Sequence, residues 1–153
     1  MKIYLGADHG GYRLKEVLQK YIQKELKFES VDLGTFSEES VDYPDYAREV
    51  SEKVYENSGT LGILVCGTGL GMCIAANKHV GIRAVSCTNE MLAQFGRAHN
   101  NANILCLGQR VIGEELAKAI VKVFLTTLYE GERHEVRLQK IAVMEGVKKK
   151  CGG

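Results

Sequence analysis

Cys66 and the glycine-rich segment after it, Gly67-Thr68-Gly69-Leu70-Gly71, have the residue types and spacing that point most clearly to chemistry. The segment follows a short apolar run, and the backbone N–H groups of the next helix would stabilise a thiolate at this position. The glycines let the backbone approach a ligand closely, so the loop can accept a phosphate, a carboxylate or the oxyanion of an enolate. Thr68 could donate a hydrogen bond to the sulfur or to the substrate. These residues predict a thiolate that faces an anion-binding loop.

Two other interpretations of this loop stay open. Glycines are also common in a tight strand-to-helix turn, where they only allow close packing. A dinucleotide-binding fingerprint is the second, with Glu90 at a plausible distance downstream, but Met72 stands where its third glycine should be. A cysteine at the end of a buried strand makes us favour a functional loop.

Imidazole side chains occur at two places that suit chemistry. Asp8-His9 ends the first predicted strand, where a carboxylate and an imidazole can bind the hydroxyl groups of a sugar. His99 opens the polar run His99-Asn100-Asn101-Ala102-Asn103, which fits a helix stop equally well because Asn tolerates the left-handed conformation. We expect His79 to lie at a helix end and His134 to be structural or solvent-exposed.

Three arginines are candidates for binding an anionic group. Arg133 and Arg137 lie four residues apart in the last predicted helix and share one of its faces. Two guanidinium groups on one face can hold a phosphate, although the charged neighbours of this pair also fit a solvated helix surface. Arg110 follows the fifth predicted strand and could join them at the strand ends.

The cysteines do not suggest a shared site. The chain has five, without a Cys-x-x-Cys pair, which predicts neither a disulfide framework nor a zinc site. We expect Cys73, Cys87 and Cys106 to be buried, inert and reduced.

Apolar runs and helical stripes alternate along the chain. The runs predict strands near residues 2–7, 28–33, 61–66, 82–86 and 104–107, and the stripes predict helices near residues 14–22, 44–57, 71–79, 90–98, 116–124 and 133–147. This order predicts an α/β fold, a three-layer, Rossmann-like, open parallel sheet of about five strands in one domain over residues 1–147. Residues 148–153 are expected to form a frayed tail. Ligands of such sheets bind beyond the carboxyl ends of the strands, where Asp8 and Cys66 are expected.

Composition excludes several classes of protein. Twenty Lys and Arg residues oppose nineteen Asp and Glu residues, so the chain lacks the cationic field that binds nucleic acid. Its apolar runs are far shorter than the roughly 18 residues that cross a bilayer. Asp8 also comes too early for a secretory signal. We therefore expect a cytoplasmic protein that binds neither nucleic acid nor membranes.

Four motifs follow one another along the chain: Ser40-Val41-Asp42-Tyr43-Pro44-Asp45-Tyr46, Cys66-Gly67-Thr68-Gly69-Leu70-Gly71, Gly81-Ile82-Arg83-Ala84 and His99-Asn100-Asn101-Ala102-Asn103. Together they resemble the B-type ribose-5-phosphate isomerases, in the sugar-phosphate isomerase family that includes the galactose-6-phosphate isomerase subunits. The resemblance runs from Asp8-His9 to Arg137. One branch of this family has serine in place of Cys66 and uses a glutamate as the base, so the chain resembles the cysteine branch.

The resemblance implies an aldose–ketose isomerase of the non-oxidative pentose phosphate pathway, which interconverts ribose 5-phosphate and ribulose 5-phosphate through an enediolate without a metal or cofactor. It implies that Cys66 moves the proton between C1 and C2, with Thr68 beside it, and that His99 opens the furanose ring. The substrate-binding residues it implies are Asp8, His9, Tyr43, Gly67, Thr68, Gly69, Leu70, Gly71, Asn100, Arg110, Arg133 and Arg137, the arginines being the phosphate ligands.

The resemblance further implies a homodimer whose active sites are shared between the subunits. A tetramer stays open, and so does the choice among ribose 5-phosphate, allose 6-phosphate and other phosphosugars. Two other functions fit parts of the pattern. A non-catalytic module that binds a sugar phosphate or a nucleotide would use the same loop and arginines, but it has no use for a thiolate at Cys66. A nicotinamide-dependent dehydrogenase ranks last because of the fingerprint broken at Met72.

Overall fold

One parallel sheet of five strands is the centre of the fold in the computed structural model, which describes residues 1–146. The strands are β1 (Lys2–Ala7), β2 (Glu29–Asp32), β3 (Leu61–Cys66), β4 (Ala84–Ser86) and β5 (Ile104–Gly108), in the spatial order β2-β1-β3-β5-β4. The predicted Rossmann-like parallel sheet is confirmed. The tail predicted over residues 148–153 lies outside the described residues.

Helices cover both faces of the sheet. They are α1 (Tyr12–Lys24), α2 (Tyr43–Glu56), α3 (Leu70–Ala76), α4 (Glu90–Ala98), α5 (Glu114–Thr126) and α6 (Glu135–Met144), with a 3₁₀ turn at Glu132–His134. Buried side chains of α1, α4 and α5 form one hydrophobic core with the sheet, and those of α2 and α3 form a second core on its other face. The sheet is therefore the middle of three layers. Within residues 1–146, none of the helices combines the length and apolar character needed to cross a membrane.

Helices α3 and α5 differ in detail from their predicted form. Helix α3 ends at Ala76 rather than near His79, because the Asn77 side chain donates to the Cys73 carbonyl (3.0 Å) and also bonds both backbone groups of Ala84. These bonds turn the chain toward β4. In α5 the buried face includes Ala117, whereas Leu116, which the predicted stripe placed inside, is exposed.

The carboxyl ends of β1 and β3 define the topological switch point. The two strands are neighbours, and the chain leaves β1 into α1 on one face but leaves β3 into α3 on the other. Diverging helices open a crevice between the two strand ends, which is where ligands bind in folds of this kind. The chemistry predicted after β1 and β3 therefore falls in one crevice.

A buried ion pair holds the segment that follows β2. Lys15 of α1 is fully buried and pairs with Asp32, the last residue of β2. The other carboxylate oxygen of Asp32 accepts the Gly34 N–H at 2.9 Å. Because removal of one partner would leave a buried charge uncompensated, this pair fixes where the loop over residues 35–42 begins.

Gly108 at the end of β5 tests how tightly the loop after β3 is packed. A methyl group at this position would lie 2.5 Å from the carbonyl carbon of Thr68, a backbone atom that can move only with the loop. We expect Gly108→Ala to lower the free energy of unfolding by about 1–3 kcal/mol through overpacking. Urea unfolding followed by circular dichroism measures the change.

Gly113→Ala is the matched control. A methyl group there meets nothing within 4 Å, and the φ of −78° suits any residue. Its cost at this helix N-cap should stay below about 1 kcal/mol. Equal losses in the two variants would contradict the proposed contact between β5 and the loop.

Candidate active site

Asp8 lies in the crevice beside the start of the glycine loop. Its N–H donates to the Val65 carbonyl at 3.2 Å, which continues the pairing of β1 with β3. A methyl group at Gly10 would lie 3.1 Å from the Gly67 nitrogen and 3.3 Å from Asp8 Oδ1, so the carboxyl group and the loop border the same space. Asp8 is buried, and its Oδ1 has no hydrogen-bond partner among residues 1–146. A buried acceptor without a partner is available to a ligand hydroxyl group.

Cys66 ends β3 with its sulfur turned toward the loop. The Gly69 N–H donates to Cys66 Sγ at 3.1 Å, and the side chain is only 5% exposed. Gly69 has φ +81°, the left-handed region that favours glycine, and a Cβ there would also lie 3.0 Å from the Leu107 carbonyl carbon. The loop glycine therefore both permits the turn and directs an N–H at the sulfur.

The hydroxyl of Thr68 has a different partner from the one we considered. Thr68 Oγ1 accepts the Leu70 N–H at 3.3 Å, so the donor to Cys66 Sγ is the Gly69 backbone and not the threonine. Thr68 is exposed at the rim of the loop, where its hydroxyl can reach a ligand.

Two more of the predicted residues border the same loop, and His9 is held by the chain before α2. Arg110 Nη1 lies 3.1 Å from the position of a methyl group at Gly67, so the guanidinium covers the start of the loop. The Tyr43 ring packs against Gly71 at 2.8 Å from the equivalent position. His9 Nδ1 accepts the Val41 N–H at 3.2 Å, which ties the imidazole to the chain before α2.

His99 and its neighbours lie at the amino ends of the strands, whereas Cys66 lies at the carboxyl ends. The residues after α4 return the chain to the amino ends of the strands, where the Asn103 carbonyl accepts the Gly62 N–H at 2.8 Å and Asn103 Oδ1 accepts the Arg83 N–H at 2.7 Å. Strand β3 spans about 17 Å between its two ends. Within one chain, His99 and Cys66 are therefore not in contact.

A stack of rings and one carboxylate surround His99. Its ring lies between Phe95 (centroids 4.7 Å apart) and His134 (4.3 Å), both nearly parallel to it. Glu130 Oε2 lies 3.7 Å from His99 Nε2 and 3.5 Å from His134 Nε2. These three side chains form a group of possible metal ligands, with ligand atoms within 4.8 Å of one another.

The predicted arginine pair belongs to this second group of residues. Arg133 lies in the 3₁₀ turn and not in the last helix as predicted, although Arg137 of α6 still reaches it and donates to its carbonyl at 2.6 Å. Within one chain Arg110 lies apart from the pair, because it follows β5 at the carboxyl ends of the strands. Asn100 is exposed beside His99 and lines a cavity of about 520 Å³ between α6 and the start of β4.

The site residues thus form two groups, one at the carboxyl ends and one at the amino ends of the strands. A family model described as Ribose/Galactose Isomerase matches residues 3–141. The chain belongs to the ribose/galactose isomerase family. Membership makes the protein an isomerase.

Relatives of this isomerase match it over nearly their whole length. The chain is 46% identical over 145 residues to ribose-5-phosphate isomerase B of Escherichia coli, covering 94% of this chain and 96% of the relative. Two solved structures are similar as well. Ribose-5-phosphate isomerase B of Clostridium thermocellum is 49% identical with a TM-score of 0.91, over 95% of this chain and 98% of that one. A ribose 5-phosphate isomerase of Thermotoga maritima is 51% identical with a TM-score of 0.90, over 93% and 97%.

Sequence reasoning did not place two members of the second group beside His99 in this isomerase. We predicted that His134 would be structural or solvent-exposed, and the structural alternative fits, because its side chain is 12% exposed and stacks on His99. Glu130 was not considered, and its backbone N–H donates to the Ala98 carbonyl at 3.0 Å, which holds it beside α4. The four-residue spacing of Glu130 and His134 was the available signal.

Cys73 was also misjudged. Cys87 and Cys106 are buried as predicted, and burial raises the pKa of Cys87 to about 12 and that of Cys106 well above its ordinary value. Cys73 of α3 is only half-buried. A hydrogen bond from the Cys106 thiol lowers the pKa of Cys73 to about 7, so a large share of it is thiolate at neutral pH.

Removal of the Cys106 thiol should make Cys73 less reactive. We expect the rate at which iodoacetamide modifies Cys73 to rise with pH around a midpoint of about 7 in the unmodified protein, and Cys106→Ala to move that midpoint upward because the donor is lost. Mass spectrometry of the Cys73 peptide over a pH series measures both. Cys87→Ala removes a buried thiol that does not bond Cys73 and should leave the midpoint in place. A midpoint that both variants leave unchanged would contradict the hydrogen bond.

Proposed function

We propose that this isomerase interconverts ribose 5-phosphate and ribulose 5-phosphate. The relatives named ribose-5-phosphate isomerase B support this substrate. The observation that carries the proposed mechanism is the contact from the Gly69 N–H to Cys66 Sγ, made in the crevice where Asp8 presents a buried acceptor. An N–H aimed at the sulfur stabilises negative charge on it, as a base requires.

In the proposed reaction, Cys66 removes the proton from C2 of the open-chain aldose and returns it to C1. Between these two steps the hydroxyl proton moves from O2 to O1 of the enediolate, and backbone N–H groups of the glycine loop stabilise the negative charge on its oxygens. A positioned base contributes roughly 10²–10⁴ in rate, and one oxyanion donor about 3–4 kcal/mol. Asp8 and His9 hold the sugar hydroxyl groups, with Tyr43 at the side of the loop.

The separation of the two residue groups supports a site shared by two chains. His99 is proposed to open the furanose ring, but in its own chain it lies at the amino ends of the strands, far from Cys66 at the carboxyl ends. We therefore propose a homodimer in which His99 of one subunit reaches the Cys66 loop of the other, as an isologous two-fold contact allows.

Exposed apolar side chains lie beside each group and support this contact. On α3, Leu70 and Ile74 are 60% and 63% exposed, and Leu70 belongs to the Cys66 loop. On α4, which covers the other face of the sheet, Met91 and Phe95 are 58% and 44% exposed, and Phe95 stacks on His99. Apolar side chains exposed beside both groups are typical of an interface between copies of a chain.

The same assembly would complete the phosphate site. Arg110 covers the loop on one subunit, and Arg133 and Arg137 lie beside His99 on the other, so the three guanidinium groups can meet only across the interface. Phosphate binding there would orient C1 and C2 against Cys66 from a distance.

Hydrogen exchange at carbon tests the chemistry directly. In D2O the protein should introduce deuterium at C1 or C2 of ribose 5-phosphate, detected by NMR, while ribulose 5-phosphate forms. Cys66→Ala should lower this rate by roughly 10²–10⁴-fold because the base is gone. Cys73→Ala, a cysteine of the neighbouring helix, is the matched control and should exchange normally.

Wild-type turnover in Cys66→Ala would show that another group is the base. Saturable binding of ribose 5-phosphate with no exchange in the unmodified protein would instead favour a binding module. Allose 6-phosphate, assayed in parallel, tests whether the pentose is preferred.

Mixing two inactive variants tests the shared site. Cys66→Ala and His99→Asn should each be inactive alone, but a mixed dimer contains one site with both native residues. Random exchange of subunits should therefore restore about a quarter of wild-type activity. If each site lay within one chain, every site would carry one substitution, and the mixture would stay inactive.

Unfolding and refolding the two variants together ensures that the subunits exchange. A mixture of Cys66→Ala with itself, treated identically, gives the background.

A further inference from the structure

We propose that His99, Glu130 and His134 form a binding site for a divalent transition-metal ion such as Zn²⁺ or Co²⁺. A bound ion would occupy the imidazole nitrogen of His99 and so inhibit the isomerase. The inhibition rests on the proposed function, whereas the binding site does not. The ion takes no part in the proposed reaction. It inhibits the enzyme because it occupies the nitrogen that His99 would use in ring opening.

The ligand atoms lie near the spacing that a metal ion requires. Glu130 Oε2 lies 3.5 Å from His134 Nε2 and 3.7 Å from His99 Nε2, and all three atoms lie within 4.8 Å of one another. In a tetrahedral site with metal–ligand distances of about 2.0–2.2 Å, neighbouring ligand atoms are about 3.3–3.6 Å apart. The two distances to Glu130 are close to this range, whereas the two imidazole nitrogens must move closer together by up to about 1 Å.

The surrounding contacts hold the two imidazoles in a stack that an ion must open. The Phe95, His99 and His134 rings stack with interplanar angles of 17° and 12°. A metal ion lies in the plane of each imidazole that binds it, so one of the two stacked rings must rotate before both Nε2 atoms can face the same ion. The Glu130 backbone, bonded to Ala98 at the end of α4, keeps the carboxylate beside both rings.

The donor set selects the class of ion. Two imidazole nitrogens and one carboxylate are typical ligands of Zn²⁺ and Co²⁺, and they leave a fourth position for water. Mg²⁺ and Ca²⁺ prefer oxygen ligands throughout and fit this group poorly. Glu130 is 57% exposed and His99 32% exposed, so an ion can reach the group from solvent in a single chain.

Arg133 opposes the ion. Its Nε donates to His134 Nε2 at 3.4 Å, so it uses the lone pair that a metal would need and places a positive charge beside the site. Arg133 is exposed and can swing away. This arrangement predicts opposite effects for two neighbouring substitutions, with loss of Glu130 weakening metal binding and loss of Arg133 strengthening it.

Cobalt titration of the purified protein tests the site without any measurement of activity. The Cys66→Ala/Cys73→Ala/Cys151→Ala variant is used so that these three thiols do not compete for the ion, and the visible d–d absorption of Co²⁺ reports binding. We expect one ion per chain. Glu130→Gln and His134→Gln should each weaken binding at least about tenfold, Arg133→Gln should tighten it, and His79→Gln, a histidine outside the group, should leave it unchanged.

Two results would overturn the site: cobalt binding that Glu130→Gln and His134→Gln leave unchanged, or weakening by Arg133→Gln equal to that of Glu130→Gln. Inhibition is then tested on the native protein with ring-closed ribose 5-phosphate. Zn²⁺ should inhibit it, EDTA should reverse the inhibition, and His134→Gln should resist it relative to its own metal-free rate.

The two proposals fail separately. Cobalt binding through the three residues in a protein without isomerase activity would support the metal site and contradict the proposed function. Isomerase activity without cobalt binding would support the proposed function and contradict the metal site.

Discussion

The central position of β3 is the constraint on which the rest of the structure depends. All six of its residues are buried, so its backbone N–H and C=O groups can be satisfied only by the neighbouring strands β1 and β5. This pairing fixes the register, with Ile63 opposite Leu5 on one side and Leu105 on the other. The ladder ends with Cys66 beside Gly108. The position of the Cys66 sulfur at the carboxyl ends of the strands is therefore set by the pairing of the whole strand β3 and not by the loop that follows.

Close backbone contact around that strand end explains why the crevice contains so few side chains. A methyl group at Gly11 would lie 2.3 Å from the Val65 carbonyl oxygen, and one at Gly108 would meet the Thr68 backbone at 2.5 Å. Glycine at these positions brings three chain segments together without side chains between them. The polar groups left facing the space are backbone N–H groups and the side chains of Asp8, Cys66 and Arg110. A site of this kind suits a small anionic ligand, because its recognition depends on main-chain donors in fixed positions.

The sequence was sufficient to predict the sheet and one group of site residues. Hydrophobic periodicity separates strands from helices, and the switch-point rule then places Asp8 and Cys66 together. The second group was not predictable in the same way, because its members meet through side-chain contacts and not through strand ends. His134 and Glu130 approach His99 only because residues 127–131 return along α4, a path that no periodic pattern encodes. The lowered pKa of Cys73 likewise depends on the thiol of Cys106 across a helix–sheet contact.

The two proposals for His99 follow from one set of contacts. An imidazole that exchanges protons with a sugar oxygen needs an accessible nitrogen, and a neighbouring carboxylate adds a second donor atom. The same two features bind transition metals, so a site of this composition is open to metal inhibition unless a cation is held nearby. Arg133, with Nε 3.4 Å from His134 Nε2, is that cation. As one of the proposed phosphate ligands, it would be drawn toward the substrate during turnover, when the sugar itself covers His99. Arg133 would therefore hinder metal binding at His134 and His99 in the free protein. The bound substrate would hinder it during turnover.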